Sequence, residues 1–523
     1  MALGFVLRVA TIGAEELWLD EAFSFHIVRL ADWSAALRLD NTPPLYYLLL
    51  RLWIPLAGKS EGALRLLSAL FGTAAVAVAV WAASRIFDRA AALWTGLVTA
   101  AAPIQVYYGQ EARAYALLVL LLFLHCGLVR RAAASNRTAD WAAVALSATL
   151  ALYTHYLAAL ALTAAAFLPV FRRDSGQARR SFAALGASVV LFLPWVALTF
   201  EATAQARAGV AWIRNIWEQT PPAAALPRSL ELFALGSQAG LVPLWLKRFG
   251  AIEFPFALRC AGLAALVALG LSLGLRKGEE TPADTRWVAA LLFAPLAALW
   301  AISWVRPLYA AGRYDSIAYP GFALLMGLGF ARLERATGSR AARVAILLGF
   351  WVAVAAKLVF YYRVAPERQA EPAAAFLDSS AGPGDVVVFT GLRGLPVLYY
   401  LDRLGYAWND GYCINRATGR RFYCRMFPRR TEATPAAADP SRAAPAPESV
   451  REEAADLLGH VAAGSTLWVA LESASLAGGH LRVPETDALL VRELERRGSR
   501  RSRSESAGKL LIVPFAVAAG AVK

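Results

Sequence analysis

Charge is scarce in this chain. Asp, Glu, Lys and Arg make up 17% of its 523 residues, while 58% are hydrophobic. A soluble protein of this length keeps more charge and divides into separate cores. The deficit excludes that class. Apolar runs near the roughly 20 residues that cross a bilayer point instead to a polytopic membrane protein. Cysteine is rare as well: four residues, none in a CxxC or other zinc-binding spacing. Cys126 and Cys260 lie in apolar stretches, where packing is the ordinary role. Cys413 and Cys424 flank a polar loop, and an oxidising compartment would let them pair. There is no glycine-rich phosphate loop and no internal repeat of the kind that builds transporters from symmetric halves. Residues 1–13 lack the basic start and small-residue cleavage site of a signal peptide. They read as a first helix that is short for a span, so it is tilted or its true start lies upstream.

What is abundant is arginine, and the formal net charge is +15. Nucleic-acid binding would use such a balance, but the basic residues fall in short loops between apolar segments. These loops hold Arg85 and Arg89; Arg130, Arg131 and Arg137; Arg172, Arg173, Arg179 and Arg180; Arg276, Lys277 and Arg286; and Arg332, Arg335, Arg340 and Arg343. That is the positive-inside pattern, so these loops are expected in the cytoplasm and nucleic acid is not expected as a partner. Spans are expected at 1–13, 63–84, 90–106, 114–129, 141–155, 156–170, 182–200, 254–275, 287–304, 318–333 and 343–362, about eleven crossings. The helix that starts at Pro43-Pro44 and runs from Leu45 to Leu56 is too short to count. An amphipathic stretch, Ala22 to Leu37, is expected to lie in the membrane interface. An odd number of crossings puts 366–523 on the outer side. The turns at Tyr107–Arg113, Tyr153–Tyr156 and Arg306–Arg313, the long segment 201–253 and the loop holding Asp20 and Glu21 lie there too.

The last third changes character. Asp385–Thr390 reads as a buried strand, Leu395–Leu404 as a helix, Glu448–Val461 as a helix, Thr466–Leu471 as a strand, Ala488–Arg497 as a helix and Lys509–Pro514 as a strand. Such alternation predicts a small α/β layer. The Ala- and Pro-rich run Thr431–Pro447 reads as a disordered insertion. Two domains are therefore expected, 1–365 in the membrane and 366–523 outside the cytoplasm.

Few charges lie on the outer side, and those few carry the candidate chemistry. Trp18-Leu19-Asp20-Glu21-Ala22-Phe23-Ser24 places two adjacent carboxylates just after the first apolar segment. Both would face a shared cavity, with one moving a proton; the alternative is helix capping, which suits one carboxylate better than two. Arg113 lies in Tyr107-Tyr108-Gly109-Gln110-Glu111-Ala112-Arg113-Ala114-Tyr115. Arg306 and Arg313 lie in Arg306-Pro307-Leu308-Tyr309-Ala310-Ala311-Gly312-Arg313-Tyr314. A guanidinium fork on the side that disfavours basic residues suits an anionic ligand such as phosphate. Snorkelling to lipid headgroups is the alternative, and for Glu111 it is an ion pair with Arg113. His155, at the turn Tyr153-Thr154-His155-Tyr156, shares the outer side with Glu111. The two would suit a divalent metal, although a lone histidine more often makes a structural hydrogen bond. The cofactor is left open.

Taken together these stretches resemble the bacterial relatives of protein O-mannosyltransferases and of the aminoarabinose transferase of lipid A, integral-membrane glycosyltransferases of the GT-C fold close to glycosyltransferase family 39. The matching segments are WLDEAFS at Trp18–Ser24, PPLYYLLLRLW at Pro43–Trp53, RLLSALFG at Arg65–Gly72, YYGQEARAYAL at Tyr107–Leu117, YTHY at Tyr153–Tyr156, LPW at Leu193–Trp195 and GRYDSIAYP at Gly312–Pro320. They cover about 1–365 in the family's order. The resemblance implies a sugar donor on polyprenyl phosphate and transfer to an acceptor hydroxyl of a lipid, glycan or protein at the outer face of the inner membrane. It implies Asp20 as general base with Glu21 beside it. Arg113 and Arg313, with Tyr314, would hold the donor phosphate, and Tyr108, Gln110, Glu111, Tyr115 and His155 would line the cavity. Attack opposite the phosphate would invert the sugar. Relatives often carry a histidine before the double proline, where this chain has Thr42. A transporter, a lipid flippase or a non-catalytic assembly protein would also be helical and membrane-bound, but a transporter would carry mid-helix charge and symmetric halves.

Overall fold

The computed structural model describes residues 1–30, 42–199, 213–214, 217, 222–236, 282–363, 369–390, 394–409, 412–415, 417–418, 421–427, 447–462, 464–472, 475–477, 480–482, 485–497, 500–501, 505–507 and 510–517. The expected span 254–275, the segment 237–253, Asp32, Asp40 and the insertion 431–446 lie outside the described residues. The chain forms two compact units. One comprises Met1–Ile12 and Asp32–Val364; the other comprises Gly13–Ala31 and Ala365–Lys523. The sequence placed 13–31 with the membrane part. The fold gathers that segment, which carries Asp20 and Glu21, into the C-terminal unit instead.

The first unit is helical. Among the described residues, Glu61–Ile86, Tyr115–Ser135, Ser175–Thr199, Ala283–Ser303, Tyr314–Arg335 and Arg340–Arg363 are long and apolar enough to cross a bilayer, and Arg89–Ala101 with Pro103–Gly109 adds a seventh, bent by 58°. Some of the eleven expected crossings are shorter than drawn. Ala2–Val9 has 8 residues, and the 156–170 stretch divides into Ala158–Ala166 and Leu168–Phe171. Close helix approach relies on small residues, as expected where lipid supplies no hydrophobic drive. A side-chain carbon on Gly327 would collide with the Thr95 hydroxyl and with the Ala91 carbonyl of the neighbouring helix.

The bend has an identifiable cause. Pro103 has no N–H to give to the carbonyl four residues back, Thr99. Arg8 replaces the missing donor: its Nη2 donates to the Thr99 carbonyl at 3.1 Å and its Nη1 to those of Ala100 at 3.1 Å and Gly4 at 2.9 Å. Arg8 is fully buried, and only glycine fits against it. A Cβ on Gly72 would lie 2.6 Å from its Nε and one on Gly109 2.7 Å from its Cγ. An irregular backbone survives at membrane depth only where protein groups satisfy it in this way.

The basic loops meet one another. Arg172 Nη2 donates to Asp284 Oδ1 and Oδ2, both at 2.7 Å, and Arg130 approaches the same carboxylate at 3.7 Å. Arg335 pairs with Asp88, and Arg131 with Asp140 at 2.9 Å. Loops near 88, 130, 172, 284 and 335 therefore share one end of the bundle, as the charge pattern required.

In the second unit, β1 (Val386–Thr390), β2 (Tyr406–Asn409), β3 (Tyr412–Asn415), β4 (Arg421–Phe427), β5 (Thr466–Glu472), β6 (Ser475–Ala477), β7 (His480–Arg482), β8 (Arg500–Arg501), β9 (Glu505–Ala507) and β10 (Leu510–Ala516) follow in chain order. The main sheet runs β2-β3-β4-β1-β5-β10-β8, with β9 also on β10; β6 and β7 form a separate hairpin. The centre, β4-β1-β5, is parallel and the flanks are antiparallel. Alternate strand residues Val386, Val388, Leu467, Val469, Leu471, Val513 and Phe515 form one core with Leu457 and Leu458 of helix Pro447–His460 and Leu490 and Leu494 of helix Glu485–Arg496. Trp468, the next residue along β5, turns the other way onto Phe376 of helix Ala370–Ser380, ring centroids 5.6 Å apart.

Two expectations are corrected here. The supposed polar loop between Cys413 and Cys424 is the antiparallel pair β3 and β4. Cys413 is a free, buried thiol set opposite Phe422, so position 424 stands two residues along the neighbouring strand. Diagonal neighbours of that kind stand roughly 7–8 Å apart, beyond the roughly 4.4–6.8 Å between Cα atoms that a disulfide spans. The amphipathic stretch is described as far as residue 30; there helix Leu19–Arg29 buries Phe25, Ile27 and Val28 in protein rather than leaving them for lipid.

Candidate active site

The arginine stretches of the first unit come together through phenols and a histidine. Helix Pro103–Gly109 delivers Tyr107 and Tyr108 to its C-terminal end. The Tyr108 hydroxyl donates to the carbonyl of Gly312, the residue before Arg313, and so joins two motifs 204 positions apart. The Arg313 charge acts on both phenols. Tyr115 lies over Tyr108 at 4.4 Å, His155 packs against Tyr115 at 6.3 Å, and Tyr314 meets His155 at 5.3 Å. Arg113 Nη1 donates to the Tyr47 hydroxyl at 3.1 Å. The Arg113 carbonyl accepts from Ser68, whose hydroxyl also bonds that of Tyr46. Five of the sequence stretches that drew attention thus share one cluster: PPLYY, RLLSA, YYGQEAR, YTHY and GRYDS.

Burial separates the roles within it. Arg113, Arg313 and Tyr314 are half-buried, whereas Tyr108, Gln110, Glu111, Tyr115 and His155 are buried. Gln110 serves the fold: its Nε2 donates to the Ala10 carbonyl at 2.6 Å and its Oε1 accepts from Tyr361 at 2.6 Å. Glu111 accepts from the Tyr107 hydroxyl. His155 Nδ1 accepts from the Leu157 N–H at 3.2 Å, which leaves the ring proton of the neutral form on Nε2. Among the described residues no three His, Cys, Asp or Glu side chains gather as metal ligands. Tyr47 was missed as a member of the cluster, and Arg8 as the support of the bend that leads to Tyr107 and Tyr108. Tyr47 lies in a motif noticed for its resemblance only. Arg8 gives no signal, being one basic residue in a short apolar helix.

In the second unit, Asp20 and Glu21 occupy the first turn of helix Leu19–Arg29. Glu21 is fully buried, and its Oε2 accepts the Trp18 N–H at 3.3 Å, so it closes its own helix start. Asp20 is half-buried, one position earlier on the helix. Capping and an accessible acid are therefore divided between the two carboxylates. His26, a turn and a half further on, is pushed from 6.5 down to about 4 by burial.

Residues 41–198 match the family model described as dolichyl-phosphate-mannose-protein mannosyltransferase. The fold is that of ArnT from Cupriavidus metallidurans. The apo structure of that protein is 14% identical with a TM-score of 0.58, covering 98% of this chain and 96% of the other. Its structure bound to undecaprenyl phosphate is 15% identical, with the same score and coverage. The family model covers less than a third of the chain, whereas the likeness to ArnT runs over nearly all of it as a shared fold. No curated protein matches it by sequence. The matched region contains Tyr47, Ser68, Arg113 and His155, most of the cluster described above.

Proposed function

We propose that this glycosyltransferase moves a sugar from a polyprenyl-phosphate carrier to an acceptor hydroxyl at the outer face of the cytoplasmic membrane, with inversion. Arg113 and Arg313, with Tyr314 beside them, bind the donor phosphate. Asp20 removes the acceptor proton as the acceptor oxygen bonds the anomeric carbon. The bond from that carbon to phosphate breaks, and its electron pair leaves on polyprenyl phosphate. The guanidinium groups stabilise the charge that grows there, which is where fixed donors act most strongly. Glu21, Tyr108, Gln110, Glu111, Tyr115 and His155 hold these groups in place. The observation that carries the reading is the Tyr108–Gly312 bond. It ties the Arg113 and Arg313 stretches into one cluster in which the two arginines and Tyr314 are more exposed than the residues that support them. The undecaprenyl phosphate bound by the ArnT of similar fold supports the donor class.

The test is transfer by purified full-length protein from a polyprenyl-phosphate-linked sugar. Asp20→Asn should insert and bind undecaprenyl phosphate normally yet lose on the order of 10²–10⁴ in rate, as loss of a positioned base does. Wild-type turnover in that variant removes Asp20 from the role. Lipid movement without glycosyl transfer in the wild type would favour a flippase.

A further inference from the structure

The acid-bearing helix is held by the C-terminal domain, although it precedes that domain by more than 300 residues. Glu16, four residues before Asp20, reaches the start of helix Ala370–Ser380. Its Oε2 accepts the N–H groups of Gln369 at 2.8 Å and Ala370 at 2.9 Å, and its Oε1 accepts that of Glu371 at 2.8 Å. The first N–H groups of a helix have no partner within it and carry the positive end of its dipole. No side chain at the local cap position, Gln369, supplies one. A carboxylate taking three of these bonds is a strong fixture, since each bond is charge-assisted.

The far end of the acid helix is fixed to the same domain. Phe25 stands edge-on to Tyr399 of helix Gly394–Arg403, centroids 5.0 Å apart at 85°. Four residues later Arg29 Nη2 pairs with Asp402 Oδ1 at 3.1 Å. Asp20 thus lies between two attachments, and both lead to one rigid α/β layer. Helix Ala370–Ser380 packs on the sheet through Phe376 and Trp468. Gly394 begins the other helix directly against Phe389 of β1, where even a Cβ would sit 2.6 Å from that side chain.

We propose that the C-terminal α/β domain is the frame that positions Asp20 for proton transfer, with Glu16 as the principal positioning residue and the Arg29–Asp402 pair as the second. This rests on the reading of Asp20 as the base. The half-exposed pair is the weaker fixture, being screened by water.

The experiment uses full-length protein with a polyprenyl-phosphate-linked sugar as donor and undecaprenyl phosphate as the binding probe. Glu16→Gln keeps the shape of the side chain and removes its charge. It should lower kcat at least tenfold while donor KM and undecaprenyl-phosphate affinity stay within twofold. Arg29→Asp should lower kcat a few-fold, and adding Asp402→Arg should restore it. A merely structural role would move kcat, KM and probe binding together and would not be rescued by the swapped pair; that outcome overturns the proposal. Full kcat in both Glu16→Gln and Arg29→Asp overturns it too. If Asp20→Asn is active, the underlying reading has failed; if Asp20→Asn is dead while Glu16→Gln and Arg29→Asp are fully active, only the positioning role has failed.

Discussion

The two units hold their candidate side chains by different means. In the helical unit Arg113 and Arg313 sit at helix ends and are placed by long-range contacts between phenols, hydroxyls and a histidine. In the α/β unit Asp20 sits on a short helix, and that helix is placed by a carboxylate cap and an ion pair. The arginines answer to bundle packing, and the acid answers to the sheet domain. Substitutions in one unit should therefore change donor handling, and substitutions in the other should change the proton-transfer step.

The sharpest way to test that division is Arg113→Ala. Transfer should fall on the order of 10²–10³, the usual loss for one donor to a developing oxyanion, with donor KM rising. Unchanged donor dependence would mean that Arg113 only anchors headgroups. Arg8→Met comes next. It leaves the Thr99 and Ala100 carbonyls without their donor, a cost of about 2–4 kcal/mol. The melting temperature in detergent should fall, and donor affinity should fall with it, because the bend carries Tyr107 and Tyr108. A variant with weaker stability and intact donor affinity would uncouple the bend from the site. Asp284→Asn removes the carboxylate shared by Arg130 and Arg172 at the basic end. It should cost about 1–3 kcal/mol and leave donor KM unchanged, which thermal unfolding and kinetics together would check.

The smallest effect concerns acid. His26 titrates near 4 when folded and near 6.5 when unfolded. A depressed value favours the neutral form, so its contribution is complete above pH 6.5 and is lost as pH falls from there toward about 4. Unfolding of the C-terminal unit should become easier across that window, and His26→Gln should flatten the slope. A pH dependence identical in wild type and variant would show that another group carries it.

Much of the architecture was legible beforehand. Apolar runs of span length gave the long helices. The loop arginines gave the shared basic end, because lipid tolerates charge only at its borders. In the α/β unit the apolar strands β1, β5 and β10 were found within a residue or two, since strands buried on both faces read as nearly continuous apolar runs. The meander β2–β4 was missed. β2 and β3 are short, and Asn409, Asn415 and Arg421 at the strand ends resemble a loop. The arginine, tyrosine and histidine candidates were named from their motifs, but which of them stay accessible could not be seen. Gln110 was named as a cavity residue, and its bonds to Ala10 and Tyr361 were not visible from the motif.

By itself the sequence determined the membrane class, the basic end of the bundle, the order of the motifs and the central strands. All of these follow from composition and short periodicity, which act over one helix or strand at a time. Tertiary structure alone decided that Gly13–Ala31 belongs with the C-terminal unit, that Arg8 mends the bend at Pro103, and that Glu16 caps a helix 354 positions away in sequence. A buried guanidinium or a distant cap answers to whichever backbone groups the fold leaves unsatisfied, and no local pattern of residues announces which groups those will be.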